Sequence, residues 1–555
     1  MSSARSGDPV RVVFLGGLGE VGRNMMAIEA SRRILVIDCG LSFPNEEMLG
    51  VDLVLPDFTW VVERADRVEA VLLTHGHEDH VGALSWFLQK VEVPIYGTPL
   101  TLGIAGRRLS EFGVKADMRA VAAPGTLELG PFRLRFFTVS HSIPDAMAVV
   151  LDTPEGRIFY TGDFKLDPSP IDGRHTDLEG MAAMGREGVD LMLSDSTNAE
   201  TPGRTPSESI VGDALRDVFA GAPGRIIVAC FASNLHRIQQ VCELSEANGR
   251  KVAFVGRSMI ANADVGRELG HLRVDRDTFV GLEQVEKFKP DEVTVICTGS
   301  QGEPLSALSL IASGEHKQIR LRASDTVILS ASPIPGNESA VHRVLNELFK
   351  AGADVYHSGI ARVHVSGHAA SEEIQEIAAL ISPRHLVPVH GEYRQLATHR
   401  KLAEAAGLSS DQITIVEDGD TLQLKGGVVT RGERVQAGMV LVDGLGVGDV
   451  GPVVLRDRKH LAEDGILVCV VTIDGQSGEL LAGPDLISRG FVHIDESREL
   501  LDDAADQVQD ALEKLEAEHV TDWGAIKKAC RRSLGEFVWR ETRRRPVILP
   551  VIQEV

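Results

Sequence analysis

The chain has 555 residues and a formal net charge of −23, with 43% hydrophobic and 25% charged residues. This length exceeds what one ordinary core organises, so we expect two to four domains in a globular protein. The acidic balance argues against a protein that coats nucleic acid nonspecifically. It leaves room for a phosphodiester substrate in a local cleft, where bound divalent cations reverse the sign of the field.

The sequence also indicates the compartment. No run approaches the roughly 18–20 apolar residues that span a bilayer, and residues 1–10 lack the apolar core of a secretory signal. The six cysteines show no C-x-x-C pairing, which is typical of free buried thiols in a reducing compartment. We therefore expect a cytoplasmic protein that does not enter a membrane.

The first motif in chain order is FLGGLGEVGRN at 14–24, in which Gly17, Gly19 and Gly22 form G-x-G-x-x-G after an apolar run. Asp38 ends the next apolar run, about where a dinucleotide-binding fold places its ribose-binding acid. The intervening NMMAIEASRRILVID is compatible with a hairpin turning at residues 31–33 or with a helix. The glycines alone therefore do not decide the fold.

The pattern of apolar residues divides the chain into segments with different predicted secondary structure. From residue 10 to about 200, short apolar runs such as VEAVLLT, FRLRFFTVS, AMAVVLD, RIFYTGD and VDLMLSDS predict strands. Between about 202 and 360, helical patterns alternate with short apolar runs, which predicts a parallel doubly wound sheet. A strand-rich texture resumes with HLVPVHGEY, the glycine-rich stretch 426–451 reads as a linker, and 452–555 predicts a small α+β unit.

The C-terminal unit contains one amphipathic helix with a strong charge contrast beside it. An apolar helical face is predicted from the spacing of Leu501, Ala504, Val508, Ala511, Leu512 and Leu515. Residues 497–518 are strongly acidic, whereas 521–545 are basic. A solvated helix pair, an RNA contact and a subunit interface all remain open for this segment.

A cluster of metal-ligand residue types lies in THGHEDH at 74–80, after a buried strand and before a helical pattern. His75 and His77 can turn toward one ion, while Asp79 and His80 can face a second. Zinc favours nitrogen and carboxylate ligands, and a hydrolytic site leaves a position open for water. The cluster therefore predicts a hydrolytic zinc site.

Three more ligands are expected just after later strands: His141 in FFTVSHSIPD, Asp163 in RIFYTGDFK and His390 in HLVPVHGEY. Asp163 is suited to bridge the two ions. Metals roughly 3.5–4 Å apart that share a hydroxide would stabilise the attacking and leaving oxygens of a phosphoryl displacement. Seven ligands thus account for two metals.

This H-x-H-x-D-H pattern with a later His, Asp and His resembles the metallo-β-lactamase fold, a four-layer αββα sandwich. In that fold a glycine-rich turn and an acid such as Asp38 lie near the first strands, so the resemblance assigns GGLGEVGRN and LVIDCG to it rather than to a dinucleotide site. The ligands alone fit a thioesterase, a lactonase or a β-lactamase equally well.

The insertion before His390 narrows this choice, because it resembles the β-CASP domain that interrupts and roofs the metal site in a group of nucleases. The matching motifs hold Asp195 in VDLMLSDSTN and His368 in RVHVSGHAA. His368 could protonate the departing oxygen while Asp195 orients its ring. His364 lies in the same segment, and the Ser366–Gly367 turn can offer backbone N–H groups to a phosphate.

Nearly the whole chain resembles the bacterial ribonuclease J family, in the order GGLGEVGRN, LTHGHEDHVGAL, HSIPDA, YTGDFK, FASNLHR, HVSGHA and PVHGEYR. The domains implied are a metallo-β-lactamase domain at 8–201 and 361–425, a β-CASP domain at 202–360, a linker at 426–451 and a C-terminal domain at 452–555. The implied phosphate pocket comprises Ser233, Asn234, His364, Val365, Ser366, Gly367 and His368. A structural calcium near Asp52 and Asp443 is also implied.

The resemblance implies a zinc-dependent ribonuclease, with manganese as an alternative activator and with 5′→3′ exonuclease and endonuclease activity. It implies roles in rRNA maturation and mRNA decay, single-stranded 5′-monophosphorylated RNA as substrate, a homodimer or higher homo-oligomer, and partners in an RNA-degradation complex. The alternatives are a β-CASP DNA nuclease, a small-molecule metallo-hydrolase, and a noncatalytic RNA-binding or scaffold subunit. The 2′-OH would separate the first alternative from a ribonuclease.

Overall fold

A computed structural model describes residues 7–334, 336–475, 477, 479–492, 497–518 and 520–555. The chain divides into two compact units, one formed by residues up to 45 with 53–440, the other by 46–52 with 441–555. Among the described residues, no helix has both the length and the apolar character needed to span a bilayer.

The first 200 residues are dominated by strands, as their alternating apolar runs predict. These strands are β1 (Val10–Gly16), β2 (Met25–Ala30), β3 (Arg33–Ile37), β4 (Leu53–Pro56), β5 (Val68–Leu72), β6 (Ile95–Gly97), β7 (Met118–Ala120), β8 (Gly125–Leu129), β9 (Phe132–Thr138), β10 (Met147–Thr153), β11 (Gly156–Tyr160) and β12 (Leu191–Asp195). The helices between them are α1 (Thr59–Val62), α2 (Glu78–Val81), α3 (Leu84–Leu88), α4 (Pro99–Glu111) and α5 (Leu178–Glu187).

The hairpin interpretation of residues 24–38 is confirmed. Strands β2 and β3 pair antiparallel from Met26↔Ile37 to Ala30↔Arg33. Ser31 and Arg32 make the turn with φ of 49° and 63°. Because the glycine motif leads into a strand and not into a helix, it cannot present a helix N-terminus to a dinucleotide.

The insertion folds as the predicted βα alternation. Its elements are α6 (Ser209–Gly221), β13 (Ile226–Ala229), α7 (Leu235–Ala247), β14 (Lys251–Val255), α8 (Arg257–Glu268), β15 (Val293–Cys297), α9 (Ala307–Ala312), β16 (Thr326–Leu329), α10 (Glu338–Lys350) and β17 (Asp354–His357). The strands form one sheet in the order β14-β15-β13-β16-β17, and every adjacent pair is parallel. Buried aliphatic residues cover both faces of this sheet.

The chain then returns to the first sheets, with more helix than the sequence indicates. The returning elements are α11 (Ser371–Ile381), β18 (Leu386–Val389), α12 (Tyr393–Ala405), β19 (Thr421–Lys425) and β20 (Val428–Arg431). The expectation of mainly strands from HLVPVHGEY onward is therefore wrong in detail, because the 13-residue helix α12 separates β18 from β19. Strand β20 lies within the stretch 426–451 and pairs antiparallel with β19.

Two sheets face each other across a shared core. One has the order β20-β19-β1-β2-β3-β5-β6-β7, and the other β18-β12-β11-β10-β9-β8. Apolar side chains of both sheets form one buried cluster, including Val12 and Ile28 from the first sheet and Val149 and Leu193 from the second. The predicted αββα sandwich is confirmed.

The second unit has its own core, as the predicted α+β texture requires. Its elements are β21 (Met439–Asp443), which begins in the first unit, β22 (Gly446–Val447), α13 (Pro452–Asp464), β23 (Ile466–Ile473), β24 (Leu480–Arg489), α14 (Arg498–Ala517), α15 (Trp523–Thr542) and β25 (Val547–Glu554). Strand β23 is the centre of a sheet, with β24 antiparallel and β25 parallel to it. The predicted apolar face of α14 packs into this core through Leu501, Ala504, Val508 and Leu512.

Candidate metal centre

Five of the seven predicted ligands lie in loops that follow strands, and the other two lie in the short helix that continues one of these loops. His75 and His77 follow β5, and Asp79 and His80 lie in α2 immediately after them. His141, Asp163 and His390 follow β9, β11 and β18. The two-sheet sandwich therefore brings ligands that are up to 315 positions apart in the sequence into one site.

The first ligand group consists of His75, His77, His141 and Asp163, whose ligand atoms all lie within 4.8 Å of one another. Nδ1 of His77 lies 3.1 Å from Nε2 of His75 and 3.1 Å from Nε2 of His141. Asp163 Oδ2 is 3.5 Å from His75 Nε2 and 3.7 Å from His141 Nε2. Three nitrogens and one carboxylate oxygen thus converge on one point.

The second group consists of Asp79, His80, Asp163 and His390, again within 4.8 Å. Asp163 Oδ2 lies 3.3 Å from His80 Nε2, and Asp79 Oδ2 lies 3.3 Å from His390 Nε2. The same oxygen of Asp163 therefore belongs to both groups. This is the geometry that the sequence predicts for a bridging carboxylate.

Two atoms in these groups lack hydrogen-bond partners although they are buried: Asp163 Oδ2 and His390 Nε2. Leaving a buried charged or polar atom unpaired is costly unless a ligand satisfies it. Imidazole nitrogens and carboxylate oxygens form the donor set that zinc prefers. The residues present therefore fit divalent cations.

Burial and neighbouring charges shift the pKa values of the ligand histidines in opposite directions in the metal-free chain. Burial lowers the pKa of His75 well below its ordinary value and that of His77 to about 4, which keeps both rings neutral and able to ligate. Burial also opposes charge on His390, but the carboxylates of Asp163 and Asp79 outweigh it and raise its pKa to about 10. A cation that enters the second group therefore displaces protons.

A shell of hydrogen bonds fixes the ligand rings. Asp38 Oδ2 accepts from His80 Nδ1 at 2.8 Å, and Asp38 Oδ1 accepts from the backbone N–H of Thr74 at 2.8 Å. Nδ1 of His390 donates to Asp163 Oδ1 at 2.8 Å, and Nδ1 of His141 donates to the carbonyl of Gly367 at 2.7 Å. Such outer contacts set the tautomer and orientation of ligating histidines.

The glycine-rich turn also serves the metal centre. Its last residue, Asn24, donates from Nδ2 to the carbonyl of Asp79 at 3.1 Å, and this Nδ2 lies 3.0 Å from His80 Nε2. A Cβ on Gly17 would lie 2.4 Å from the Asn24 side chain, and a Cβ on Gly40 would lie 1.6 Å from the Asp79 carbonyl. Glycine is required at Gly40 because its backbone lies directly against that of the ligand loop, and at Gly17 because its φ of 89° is one that other residues rarely adopt.

His368 and Asp195 lie beside both ligand groups. Nδ1 of His368 is 2.8 Å from Asp195 Oδ2, and the His368 ring centre is 5.0 Å from that of His141 and 5.5 Å from that of His390. Burial opposes a charge on His368, but Asp195 outweighs it and raises the pKa of His368. Thr205 Oγ1 donates to the backbone carbonyl of His368 at 2.7 Å, which holds this residue in place.

The residues predicted for a phosphate pocket have mixed surroundings. His364 has a buried Nδ1 without a hydrogen-bond partner, and burial with the charges of Arg237 and Lys165 lowers its pKa to about 3. Val365 is buried among apolar side chains. Asn234 caps α7 by accepting from the Arg237 backbone N–H at 3.0 Å. The cap is a structural role that the motif did not indicate.

Sequence analysis missed several residues that hold the site together. Arg237 is completely buried, pairs with Glu208 at 2.5 Å and donates to the Val363 carbonyl at 2.6 Å. Glu373, also completely buried, accepts from the backbone N–H groups of Ala370 and Thr205 at 2.9 and 2.7 Å. A charged residue within an apolar helical face was the signal available for both.

The predicted calcium ligands have partners of other kinds. Arg458 pairs with Asp443 and donates to the Leu49 carbonyl at 2.8 Å. Asp52 Oδ2 accepts from the Gly444 backbone N–H at 2.8 Å. A guanidinium therefore lies against one of the two carboxylates, and the calcium stays a prediction.

Comparisons with known families cover most of the chain. Residues 18–203 match the metallo-beta-lactamase superfamily, 223–348 the ribonuclease J beta-CASP domain, 353–415 a Zn-dependent metallo-hydrolase RNA specificity domain, and 453–555 the ribonuclease J C-terminal domain. A crystal structure described as a protein of unknown function from Enterococcus faecalis V583 aligns with a TM-score of 0.54 at 17% identity. It covers 75% of this chain and 100% of that one, which supports the fold alone.

Curated relatives match over almost the full length. Ribonuclease J2 of Bacillus subtilis (strain 168) is 41% identical over 98% of this chain and 99% of its own. Ribonuclease J of Mycobacterium tuberculosis (strain ATCC 25618 / H37Rv) is 44% identical over 98% of this chain and 97% of its own. With this identity, the four matching domain models and the two ligand groups around Asp163, the chain belongs to the ribonuclease J family.

Proposed function

We propose that this chain is a metal-dependent ribonuclease that hydrolyses RNA phosphodiesters at the centre formed by the two ligand groups. The observation that carries the proposal is the bare, buried Oδ2 of Asp163, shared by both groups beside the His368–Asp195 pair. The match of 353–415 to an RNA specificity domain favours RNA over DNA. The βα insertion disfavours a small-molecule hydrolase, which has no need of it.

Two zinc ions are the proposed complement, with manganese as an alternative activator. His75, His77 and His141 would hold one ion, Asp79, His80 and His390 the other, and Asp163 both. Ions bound there supply positive charge for the phosphate oxygens and acidity for water. Because Asp38 and the Gly367 carbonyl orient the ligating rings, the chain presents these nitrogens with little rearrangement.

The proton for the leaving oxygen is assigned to His368. Its Nδ1 is held by Asp195, so Nε2 is the nitrogen left to face a substrate. Hydrolysis adds water across the P–O bond, and the departing oxygen takes its proton from this Nε2. Asp195 Oδ2 binds the imidazole while Oδ1 accepts from the Thr197 backbone N–H at 2.9 Å, so Asp195 acts as a positioning residue. It also stabilises the protonated ring.

The phosphate pocket is proposed around His364 and the Ser366–Gly367 turn. The charges of Arg237 and Lys165 beside His364 favour an anion, although each cation already has a carboxylate partner, Glu208 and Asp167. An RNA end bound there by its 5′-monophosphate would present successive phosphodiesters to the metal centre. This supports 5′→3′ exonuclease action, and internal cleavage remains part of the proposal.

Other parts of the proposal rest on family membership. They are rRNA maturation, mRNA decay, partners in an RNA-degradation complex and a structural calcium near Asp52 and Asp443. A cytoplasmic location is supported by six buried free cysteines.

A homodimer is proposed through the outer face of the sheet β24-β23-β25. Val468, Ile487 and Leu549 lie side by side on this face by strand register, and Ile487 and Leu549 are each 46% exposed. An apolar sheet face of this kind marks an association surface. We expect sedimentation velocity to give twice the chain mass for the parent and one chain mass for Leu549→Asp. An unchanged mass for Leu549→Asp would reject this face.

Removing the shared carboxylate charge should empty the centre. We expect Asp163→Asn to lower bound zinc from two per chain to fewer than one, because both ligand groups lose their common anion. Metal content after dialysis, measured by plasma mass spectrometry, gives this number without an activity assay. Asp177→Asn is the matched control, since Asp177 caps α5 and asparagine caps equally well. Two zinc ions retained by Asp163→Asn would refute the bridge.

Removing the charge of Asp195 should impair proton donation by His368 and leave metal binding unchanged. We expect Asp195→Asn to lower kcat by about 10²- to 10³-fold with zinc content and KM little changed. The alkaline limb of the pH profile should move to lower pH, since the carboxylate that raises the pKa of His368 is gone. His368→Gln should cost a similar amount, and the double variant little more. An unmoved limb would leave Asp195 with a structural role only.

The end-binding pocket is tested with one RNA that carries a 5′-monophosphate, triphosphate or hydroxyl. We expect zinc-loaded enzyme to release mononucleotide fastest from the monophosphate, with Asp79→Ala as the inactive control. Internal fragments alone, at equal rates from all three ends, would remove the role assigned to His364 and the turn. A deoxyribo-oligomer of the same sequence cleaved as fast would instead indicate a DNA nuclease.

A further inference from the structure

The two long helices of the second unit carry opposite charge. Residues 497–518, which contain α14, have eight acidic and two basic residues, whereas 521–545, which contain α15, have eight basic and three acidic residues. The two helices pack on each other and on the sheet through apolar side chains. Their charged residues therefore lie at the surface, where the segment 521–545 is cationic within a chain of net charge −23.

Four residues of the basic segment lie on one side of α15. Lys528, Arg532 and Trp539 follow at spacings of four and seven, and Arg531 adjoins them, so the helical repeat aligns them along about 16 Å. Arg543 follows the last residue of the helix, and its guanidinium lies over the ring of Trp539. All five are exposed. We call these five residues, with Arg545, the basic stripe. The buried side chains of α15, among them Ile526, Cys530 and Phe537, occupy the opposite side.

The cations of this segment lack acidic partners within the described part of the chain. Of its eight basic side chains, only Arg540 has a carboxylate within the distance of an ion pair, that of Glu541 at 2.8 Å. Among the described residues, no carboxylate of α14 lies within ion-pair distance of these eight side chains, although α14 packs against α15. Exposed, unpaired arginines so close together repel one another, and an anionic partner would relieve that repulsion.

An aromatic ring interrupts the row of cations. Trp539 is 37% exposed, and the guanidinium carbons of Arg543 and Arg545 lie 5.5 and 4.5 Å from its ring centre. A tryptophan among arginines offers stacking to a base and charge to the phosphates on either side. Guanidinium groups match phosphate oxygens with two parallel hydrogen bonds.

We propose that the basic stripe binds single-stranded RNA, with its arginines on the phosphates and Trp539 stacked on a base. This inference rests on the proposed ribonuclease function and gives the C-terminal domain a share in holding the substrate. RNA is favoured over a protein partner because the stripe combines unpaired cations with an exposed indole and has little aliphatic surface. The apolar face at Val468, Ile487 and Leu549 is better suited to a second copy of the chain.

The test compares long and short substrates. The stripe variant carries Arg531→Gln, Arg532→Gln, Arg543→Gln and Arg545→Gln in the full-length, zinc-loaded chain. We expect its KM for an unstructured 40-nucleotide RNA to rise about tenfold at 0.1 M salt and its KM for a six-nucleotide RNA to stay unchanged. The salt dependence of log kcat/KM on the long RNA should flatten by about 0.7 for each phosphate that the variant no longer neutralises.

A matched control separates the stripe from net charge. Arg276→Gln, Lys287→Gln, Lys289→Gln and Lys317→Gln remove the same charge from exposed positions of the insertion. We expect this variant to behave as the parent on both RNAs. Trp539→Leu alone should raise the KM for the long RNA about fivefold. Crosslinking of 4-thiouridine RNA to peptides of 523–545 supplies a readout that needs no turnover.

The failures are distinguishable. An unchanged KM for the long RNA in the stripe variant, with no crosslink in 523–545, overturns this inference while leaving the ribonuclease intact. A changed sedimentation mass of the stripe variant makes the stripe a subunit interface and also overturns it. Absence of cleavage of both RNAs by the parent chain overturns the proposed function, whatever the crosslinks show.

Discussion

One buried oxygen organises the first unit of this molecule. Oδ2 of Asp163 has no hydrogen-bond partner, yet it lies within 3.3–3.7 Å of imidazole nitrogens from His75, His80 and His141. A buried carboxylate oxygen without a hydrogen bond is costly unless cations fill the space around it. The loops around Asp163 Oδ2 are therefore arranged to bind cations, and the two sheets hold these loops in place.

Residues outside the ligand set hold the ligands around this oxygen. Asp38 joins the end of β3 to His80 and Thr74, and the glycine-rich turn places Asn24 against the loop that carries Asp79. Glu373 and Arg237 fix the segment that ends at His368 by binding its backbone and that of its neighbours. The proposed chemistry thus depends also on residues that are neither metal ligands nor the proton donor, because they fix the positions of those that are.

The sequence predicted which histidines and aspartates the fold gathers around Asp163, because each lies in a short motif just after a strand and local spacing is visible in one chain. Apolar periodicity predicted the βα insertion, whereas the sandwich was implied by the resemblance of the ligand motifs to the metallo-β-lactamase fold. The sequence did not predict the roles of Arg237 and Glu373, because a charged residue on an apolar helical face does not reveal partners on distant segments such as Glu208 and Thr205. It also missed the capping role of Asn234, although the partner, the Arg237 backbone N–H, is only three residues away. It also missed helix α12 after HLVPVHGEY, where mainly strands were expected.

Anomalous diffraction at the zinc edge, from crystals of the zinc-loaded chain, tests whether two cations share Asp163. We expect two peaks roughly 3.5–4 Å apart, one beside His75, His77 and His141 and one beside Asp79, His80 and His390, with Asp163 Oδ2 between them. A single peak, or two peaks that Asp163 does not join, would contradict this arrangement.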